Sequence, residues 1–375
     1  MPFSRAIWAE ISRSALERNV AEVKKQARGQ DLIAVVKANA YGHGLAGTSR
    51  ALKDAGVKSF AVASLWEGLE LKKEGIGARG SRILILGYSV PSHSDEVVAS
   101  GFCQTVISAH EIRMLARAAE KLGKPARVQI KLDTGMHRLG APLGDFPRLM
   151  DALRRFPNVK LEGIYTHYAC ADEPDNPVTS IQFSQFKETL APFKLPGTIK
   201  LHASNSAAVV NFPGFKLDAV RCGIALYGHY ASGLVAREMS LRPVLGLKSK
   251  IAEIKTLGPG HGAGYNHRFV NQSKTSCRLG IIPVGYADGF MTASSGRREV
   301  LIRGHRCRVV GAVSMDFAHI LLPDDLSIGV GEPVTLIGRD GDEEITVEEL
   351  AELFCTHPYE VLCLIPTRIP RKSVE

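Results

Sequence analysis

Short, nearly continuous apolar runs recur along the first part of the chain. They read "LIAVVK" from Leu32, "SFAVAS" from Ser59, "RILILG" from Arg82 and "CQTVIS" from Cys103, then "ARVQIKLD" from Ala126, "LEGIYTH" from Leu161, "IKLHAS" from Ile199 and "DAVRCGIAL" from Asp218. Runs that do not alternate with polar residues mark strands buried on both faces, as in a parallel sheet covered by helices. Helical texture lies between them. "SALERNVAEVKKQA" places Leu16, Val20 and Val23 on one stripe behind a Ser14–Glu17 capping box, and "AHEIRMLARAAEKLGK" is a second helix ending at Gly123. Eight such repeats over about two hundred residues predict a closed (β/α)8 barrel, a TIM-like fold near its lower size limit. An open doubly wound sheet is the alternative. It usually carries a glycine-rich turn after its first strand, which "KANAYGHG" resembles poorly.

After about Leu241 the texture changes. "VLGLKSKIAEIKTL", "SCRLGIIPVGYA", "EVLIRGHRCRVVGAVSMDFAHILL" and "EPVTLIGR" alternate apolar with polar residues and carry Gly, Pro and Asp at their turns. This predicts antiparallel β structure, with helix returning only near "TVEELAELF". The expected division is a barrel over 11–238 and a mostly antiparallel β domain over 239–375. The alternating opening segment, residues 1–10, is assigned to that second domain, which ties the two ends of the chain together.

Composition narrows the function classes. No apolar run is long enough to span a bilayer, and the opening residues lack an apolar stretch of signal-peptide length, so a cytoplasmic protein with no membrane partner is expected. The seven cysteines are scattered, odd in number and never in CxxC spacing, which fits free thiols rather than a disulfide framework. Histidines show no HExxH pair or tight His/Cys cluster, so no metal is expected. The net charge of +9 is spread over interleaved acidic and basic residues, which favours an anionic small ligand over nucleic acid.

In such barrels chemistry gathers where the strands end. Strand one delivers Lys37 and Tyr41; strand five delivers Lys131 and, in "DTGMHRLG", Arg138; strand six ends at His167. Strand seven ends in "HASNSAA", with His202, Asn205 and Ser206, and strand eight carries Arg221, Gly223 and Ile224. The loops after strands seven and eight form the usual phosphate site of this architecture, and Asn, Ser and Gly suit a phosphate there. A phosphate site together with a lysine at the end of a buried strand points to a phosphorylated aldehyde held as an imine, with pyridoxal phosphate as the leading candidate. Taken alone, Lys37 also reads as a snorkelling side chain and His167 as a core histidine.

"VVKANAYGHG", "KLDTGMHRLG", "HASNSAA", "RCGIALYG" and "YEVLCLIPTRIPR", in this order between Ile7 and Arg371, together resemble the alanine racemases, pyridoxal-phosphate enzymes with a barrel and a β domain. The resemblance implies a racemase that interconverts L- and D-alanine to supply D-alanine for peptidoglycan. Lys37 would bind the cofactor and act as base on one face of the substrate. Tyr265, in "GPGHGAGYNHRF", would act on the other face from the second subunit of a homodimer, and His167 would assist its ionisation. Without the resemblance Tyr265 is an aromatic in a glycine-rich turn. Arg221 would donate to the cofactor ring nitrogen, oriented by His202, and so limit delocalisation of the carbanion. Phosphate contacts are implied for Tyr41, Ser206, Gly223, Ile224 and Tyr359. Arg138 would hold the substrate carboxylate or the cofactor phenolic oxygen, with Met315 and Asp316 reaching the same region from the partner subunit. Lys131 matches a lysine that is often carbamylated in the family.

Two stretches depart from the family pattern. Phe290-Met291-Thr292 stands where an aromatic-Pro-Arg run is common, and Thr367 where a tyrosine often precedes the arginine, which bears on gating. A serine or broad-specificity racemase is the alternative within enzymes. Outside enzymes the alternative is a pyridoxal-phosphate carrier, against which the long β segment argues.

Overall fold

The computed structural model of the chain describes residues 5–77 and 80–375. They divide into two compact units, one of residues 16–41 and 45–242, the other of residues 5–15, 42–44 and 243–375.

The first unit is a closed ring of eight parallel strands. Asp31–Val35, Ser59–Val62, Arg82–Ile85, Cys103–Val106, Ala126–Asp133, Val159–Tyr165, Lys200–His202 and Ala219–Cys222 follow one another, and the last pairs back onto the first. A two-residue strand, Ala141–Pro142, is added beside Ala126–Asp133. The apolar runs supply the wall: Ala34, Phe60, Ala61, Val62, Ile85, Val106, Ile130 and Ile164 are fully buried. Each large aliphatic side chain hidden in this way contributes about 1.5–3 kcal/mol.

The helix Ala109–Leu122 buries Ile112, Leu115, Ala116 and Ala119 on one stripe; it opens with the Ser108–Glu111 capping box and stops at Gly123, whose φ is +60°. The helix Arg13–Ala27 begins earlier than the sequence predicts. Its first turn is capped by Ser12, whose Oγ accepts from the Ala15 amide at 3.1 Å, so the Ser14–Glu17 box is replaced by a serine at the end of the preceding strand. The two serines stand two residues apart, and the strand's pairing decides which of them caps the helix.

Strands of the second unit run in the order Glu253–Leu257, Cys277–Ile282, Ala318–Leu322, His305–Val310, Glu299–Ile302, Pro333–Asp340, Leu245–Lys250, Ile7–Ser12 and Arg371–Val374. Pairing is antiparallel except between Ile7–Ser12 and Arg371–Val374. The N-terminal strand thus sits between Leu245–Lys250 and the C-terminal strand. Asp288 is buried beneath two arginines, Arg5 and Arg368, each at 2.8 Å. Burial pushes its carboxyl up, but these two guanidinium groups and the Gly285 amide outweigh that and hold it below the usual range. Of the departures from the family pattern, Phe290 is buried with the Arg298 guanidinium 3.9 Å from its ring centre, whereas Thr292 and Thr367 are exposed.

Candidate active site

Lys37 follows the first barrel strand and opens a turn of unusual hand. Ala38, Asn39, Ala40 and Tyr41 have φ of +53°, +55°, +53° and +52°, and none is a glycine. Each left-handed non-glycine residue costs about 1–2 kcal/mol, so the turn persists only where its surroundings hold it. The Ala40 amide donates to the Val36 carbonyl at 2.9 Å, and the Leu45 amide donates to Asn39 Oδ1 at 2.8 Å. The turn carries Tyr41 to the end of strand eight. A Cβ at Gly223 would lie 2.6 Å from the Tyr41 hydroxyl, so only glycine permits this approach.

Arg221 is the centre of the polar interior. Its Nη1 donates to His202 Nδ1 at 2.6 Å, and its Nη2 donates to the carbonyls of Thr166 (2.7 Å) and Ala203 (2.9 Å) and to His167 Nδ1 (3.0 Å). The guanidinium lies 4.8 Å from the centre of the Tyr165 ring, which stacks on the His202 ring. Burial lowers the Arg221 pKa to about 10, which leaves it charged at neutral pH. Both histidines stay neutral: burial, then the charge of Arg221, holds each well below the ordinary imidazole value. With Nδ1 of each ring accepting from Arg221, each neutral ring carries its proton on Nε2.

Cations converge here. His167 also feels the charges of Lys131, Arg138 and Lys37, and Lys131 feels those of Arg138, Arg221 and Lys37. Burial and these neighbours lower the Lys131 amine to about 8, against a smaller opposing pull from Asp133. Asp133 turns its Oδ1 to the amides of Gly135, Met136 and His137 at 3.0, 3.0 and 3.1 Å, which shapes the loop that ends in the exposed Arg138. Such a basin calls for an anionic occupant.

The loops after strands seven and eight are knitted by Ser206. Its Oγ accepts from the amides of Gly223 (3.2 Å) and Ala225 (3.4 Å), beside Ile224. Asn205 caps the short helix Ser206–Asn211; its Oδ1 accepts from Ala207 and Ala208, which leaves its amide nitrogen as the group it can offer a ligand.

Sequence reasoning missed several residues that hold this arrangement. Gln129 accepts from His202 Nε2 at 2.8 Å. Gln182 donates to the His167 carbonyl and to Thr134 Oγ1, both at 3.1 Å, and accepts from the Ala169 amide. Thr134 and Thr166 share a hydroxyl bond of 2.7 Å that joins loops five and six. A buried glutamine in a strand or helix has no spacing signature by which to find it.

Tyr265, Met315, Asp316 and Tyr359 belong to the β unit. Tyr265 is 70% exposed and Met315 54% exposed. Their loops are neighbours: a Cβ at Gly264 would lie 3.5 Å from the Ala312 amide nitrogen. Asp316 pairs with Arg368 at 2.7 Å, and Tyr359 packs edge-on against His357.

Residues 11–231 match the family description "Alanine racemase, N-terminal domain" and residues 244–373 "Alanine racemase, C-terminal domain". The alanine racemase of Symbiobacterium thermophilum is 40% identical over 98% of this chain and 97% of its own. The structure of the Bacillus anthracis alanine racemase with bound L-Ala-P superposes with a TM-score of 0.92 at 34% identity, over 100% of this chain and 96% of that one. A histidine racemase from Leuconostoc mesenteroides subsp. sake also superposes with a TM-score of 0.92, at 27% identity over 100% of this chain and 99% of that one. With a matching barrel domain, a matching β domain and full-length relatives, the chain belongs to the alanine racemase family of pyridoxal-phosphate-dependent amino-acid racemases.

Proposed function

We propose that this chain interconverts L- and D-alanine by two-base proton transfer, with Lys37 on one face of the substrate and Tyr265 of a second copy on the other, and that it supplies D-alanine for peptidoglycan in the cytoplasm. The observation that carries this reading is the Arg221 cluster. A charged guanidinium fixed by two neutral histidines offers a permanent donor at the barrel mouth, in a basin of four cations suited to a phosphorylated ligand.

Pyridoxal phosphate, when bound, supplies an electron sink that acidifies the hydrogen on the α-carbon of an amino acid. Lys37 would hold it, Tyr41, Ser206, Gly223, Ile224 and Tyr359 would receive its phosphate, with Asn205 offering its amide nitrogen, and Arg221 would face its ring nitrogen. An arginine can donate there but cannot yield its proton, so the sink stays modest and the proton returns to carbon.

His167 enters as a donor rather than a base. Its Nδ1 is occupied by Arg221 and its ring is neutral, so Nε2–H is the group it offers, and a donated hydrogen bond stabilises the phenolate of Tyr265. Arg138 would hold the substrate carboxylate or the cofactor phenolic oxygen by charge-assisted hydrogen bonds, with Met315 and Asp316 of the second copy reaching the same region. An exposed tyrosine and methionine on adjoining loops support a homodimer in which the β unit of one copy completes the site of the other. The Lys131 amine, lowered to about 8, is partly neutral at physiological pH and so able to add carbon dioxide, which supports carbamylation there.

The Leuconostoc histidine racemase on the same scaffold makes a broader substrate range the second reading. The test is chiral chromatography of the purified holoenzyme with L-alanine, L-serine and L-histidine. Alanine is expected to racemise at least about tenfold faster, the scale of discrimination a close-fitting apolar pocket gives. Equal rates for serine or histidine would replace the alanine assignment with the broader one.

A further inference from the structure

The left-handed turn between Lys37 and Tyr41 is held from outside by a residue of the next barrel loop. Glu67 lies in the first turn of the helix Leu65–Lys73, three residues after the capping Ser64. One carboxylate oxygen, Oε2, accepts from the Ala63 amide at 2.7 Å; the other, Oε1, accepts from the Ala38 amide, also at 2.7 Å. We propose that Glu67 is a positioning residue, a strap across two barrel loops that fixes the turn from which Lys37 and Tyr41 are presented; this rests on the reading of Lys37 as the cofactor-binding lysine.

The molecule contains its own comparison. Glu111 occupies the same place in the helix Ala109–Leu122, three residues after the capping Ser108. Its Oε2 accepts from Ile107 (2.7 Å) and Ser108 (3.0 Å), both in its own loop. Glu111 therefore caps one helix end, whereas Glu67 uses its second oxygen to reach the neighbouring loop at the first residue of the turn. Charge-assisted bonds of this length are the strong class, and Ala38 is where a backbone leaving the strand must change hand. Released, the turn relaxes toward right-handed or extended backbone. The lysine at one end and the tyrosine at the other then shift together, including the Tyr41 hydroxyl that sits against Gly223.

The experiment compares Glu67→Gln with Glu111→Gln in the full-length protein. It measures three quantities: affinity of the cofactor-free protein for added pyridoxal phosphate, the pH titration of the bound cofactor's absorption between pH 6 and 10, and amide hydrogen exchange over residues 38–45 without cofactor. Glutamine keeps the volume but turns one acceptor into a donor that opposes an amide. Glu67→Gln is expected to weaken pyridoxal phosphate binding about tenfold, the scale of one charge-assisted bond, to shift the cofactor titration and to speed exchange at 38–45. Glu111→Gln is expected to lose thermal stability while leaving all three near wild type. If Glu67→Gln behaves like Glu111→Gln in affinity, titration and exchange, the proposal is overturned. Borohydride reduction of the wild-type holoenzyme separates the two layers: a cofactor fixed to a residue other than Lys37 overturns the lysine reading, and exchange in the cofactor-free protein still decides the strap.

Discussion

Arg221 Nη1 donates to His202 Nδ1 at 2.6 Å, and that bond settles which nitrogen of His202 carries its proton. The Nε2–H then donates to Gln129 Oε1 at 2.8 Å, so a glutamine on strand five aligns an arginine on strand eight through a histidine on strand seven. Gln129→Leu removes the acceptor and leaves a buried imidazole N–H unpaired. The expected result is a loss of about 1–3 kcal/mol in urea unfolding of the cofactor-free chain. In the holoenzyme, the absorption of bound pyridoxal phosphate should change as Arg221 loses its alignment. An unchanged spectrum would show that Arg221 is aligned without the relay.

Buried Lys131 and the two histidines each contribute to the cofactor-free protein a stability that rises with pH, in two separate windows. Below the ordinary imidazole value of 6.5 the unfolded chain binds protons that native His167 and His202 refuse, so stability falls as pH drops from 6.5. Lys131 repeats this at higher pH. Its native value is about 8 and its ordinary value 10.5, so the unfolded state again holds more protons and stability rises between them. The full arm is on the order of 3 kcal/mol. Burial pushes the Cys103, Cys222 and Cys307 thiols and the Tyr165 phenol up, and these groups work the other way in the same range, so the Lys131 contribution is read as a difference. Between denaturant titrations at pH 8 and pH 10.5, Lys131→Met should change less favourably than the wild type; parallel profiles would count against the buried amine.

A neutral fraction of Lys131 also predicts a chemical modification. With 13C-labelled bicarbonate, the protein should show a carbamate carbon signal that is absent from Lys131→Ala. The resulting anion would face Arg138 and Arg221, offsetting part of the cation excess that lowers this amine. A bare amine at Lys131 by mass and carbon resonance would leave the basin to be neutralised by cofactor and substrate alone.

What was legible before the structure follows from what each feature writes into the chain. Eight strands buried on both faces leave apolar runs that need no partner to be read, and the alternating second half shows one face packed and one wet. Lys37, Arg221 and His202 could be placed because strand ends fix their address. The turn at Lys37 was not legible: "KANAY" contains no glycine, and its left-handed backbone depends on a carboxylate thirty residues on. Gln129 and Gln182 were missed because their importance lies in what they face across the barrel, which spacing along the chain does not record. Ser12 and Ser14 are both good caps, and only the strand's pairing decides where the helix begins.

The proposed sharing of each site between two copies makes a quantitative prediction. If Lys37 and Tyr265 of one site come from different copies, a chain carrying Lys37→Ala and a chain carrying Tyr265→Phe are each inactive as homodimers. Mixed dimers, however, have one site with both groups lost and one with both intact. Random reassortment makes half the dimers mixed, so activity should recover to about one quarter of wild type after denaturing and refolding the two together. If both groups came from one chain, every site in every dimer would lack one of them and nothing would recover. The Tyr265→Phe homodimer adds an independent check. It should bind pyridoxal phosphate normally and exchange the α-hydrogen of one alanine enantiomer with deuterium far faster than that of the other, because only the lysine face still has a base. Equal slowing for both enantiomers would remove Tyr265 from the second face, whatever the mixing experiment returned.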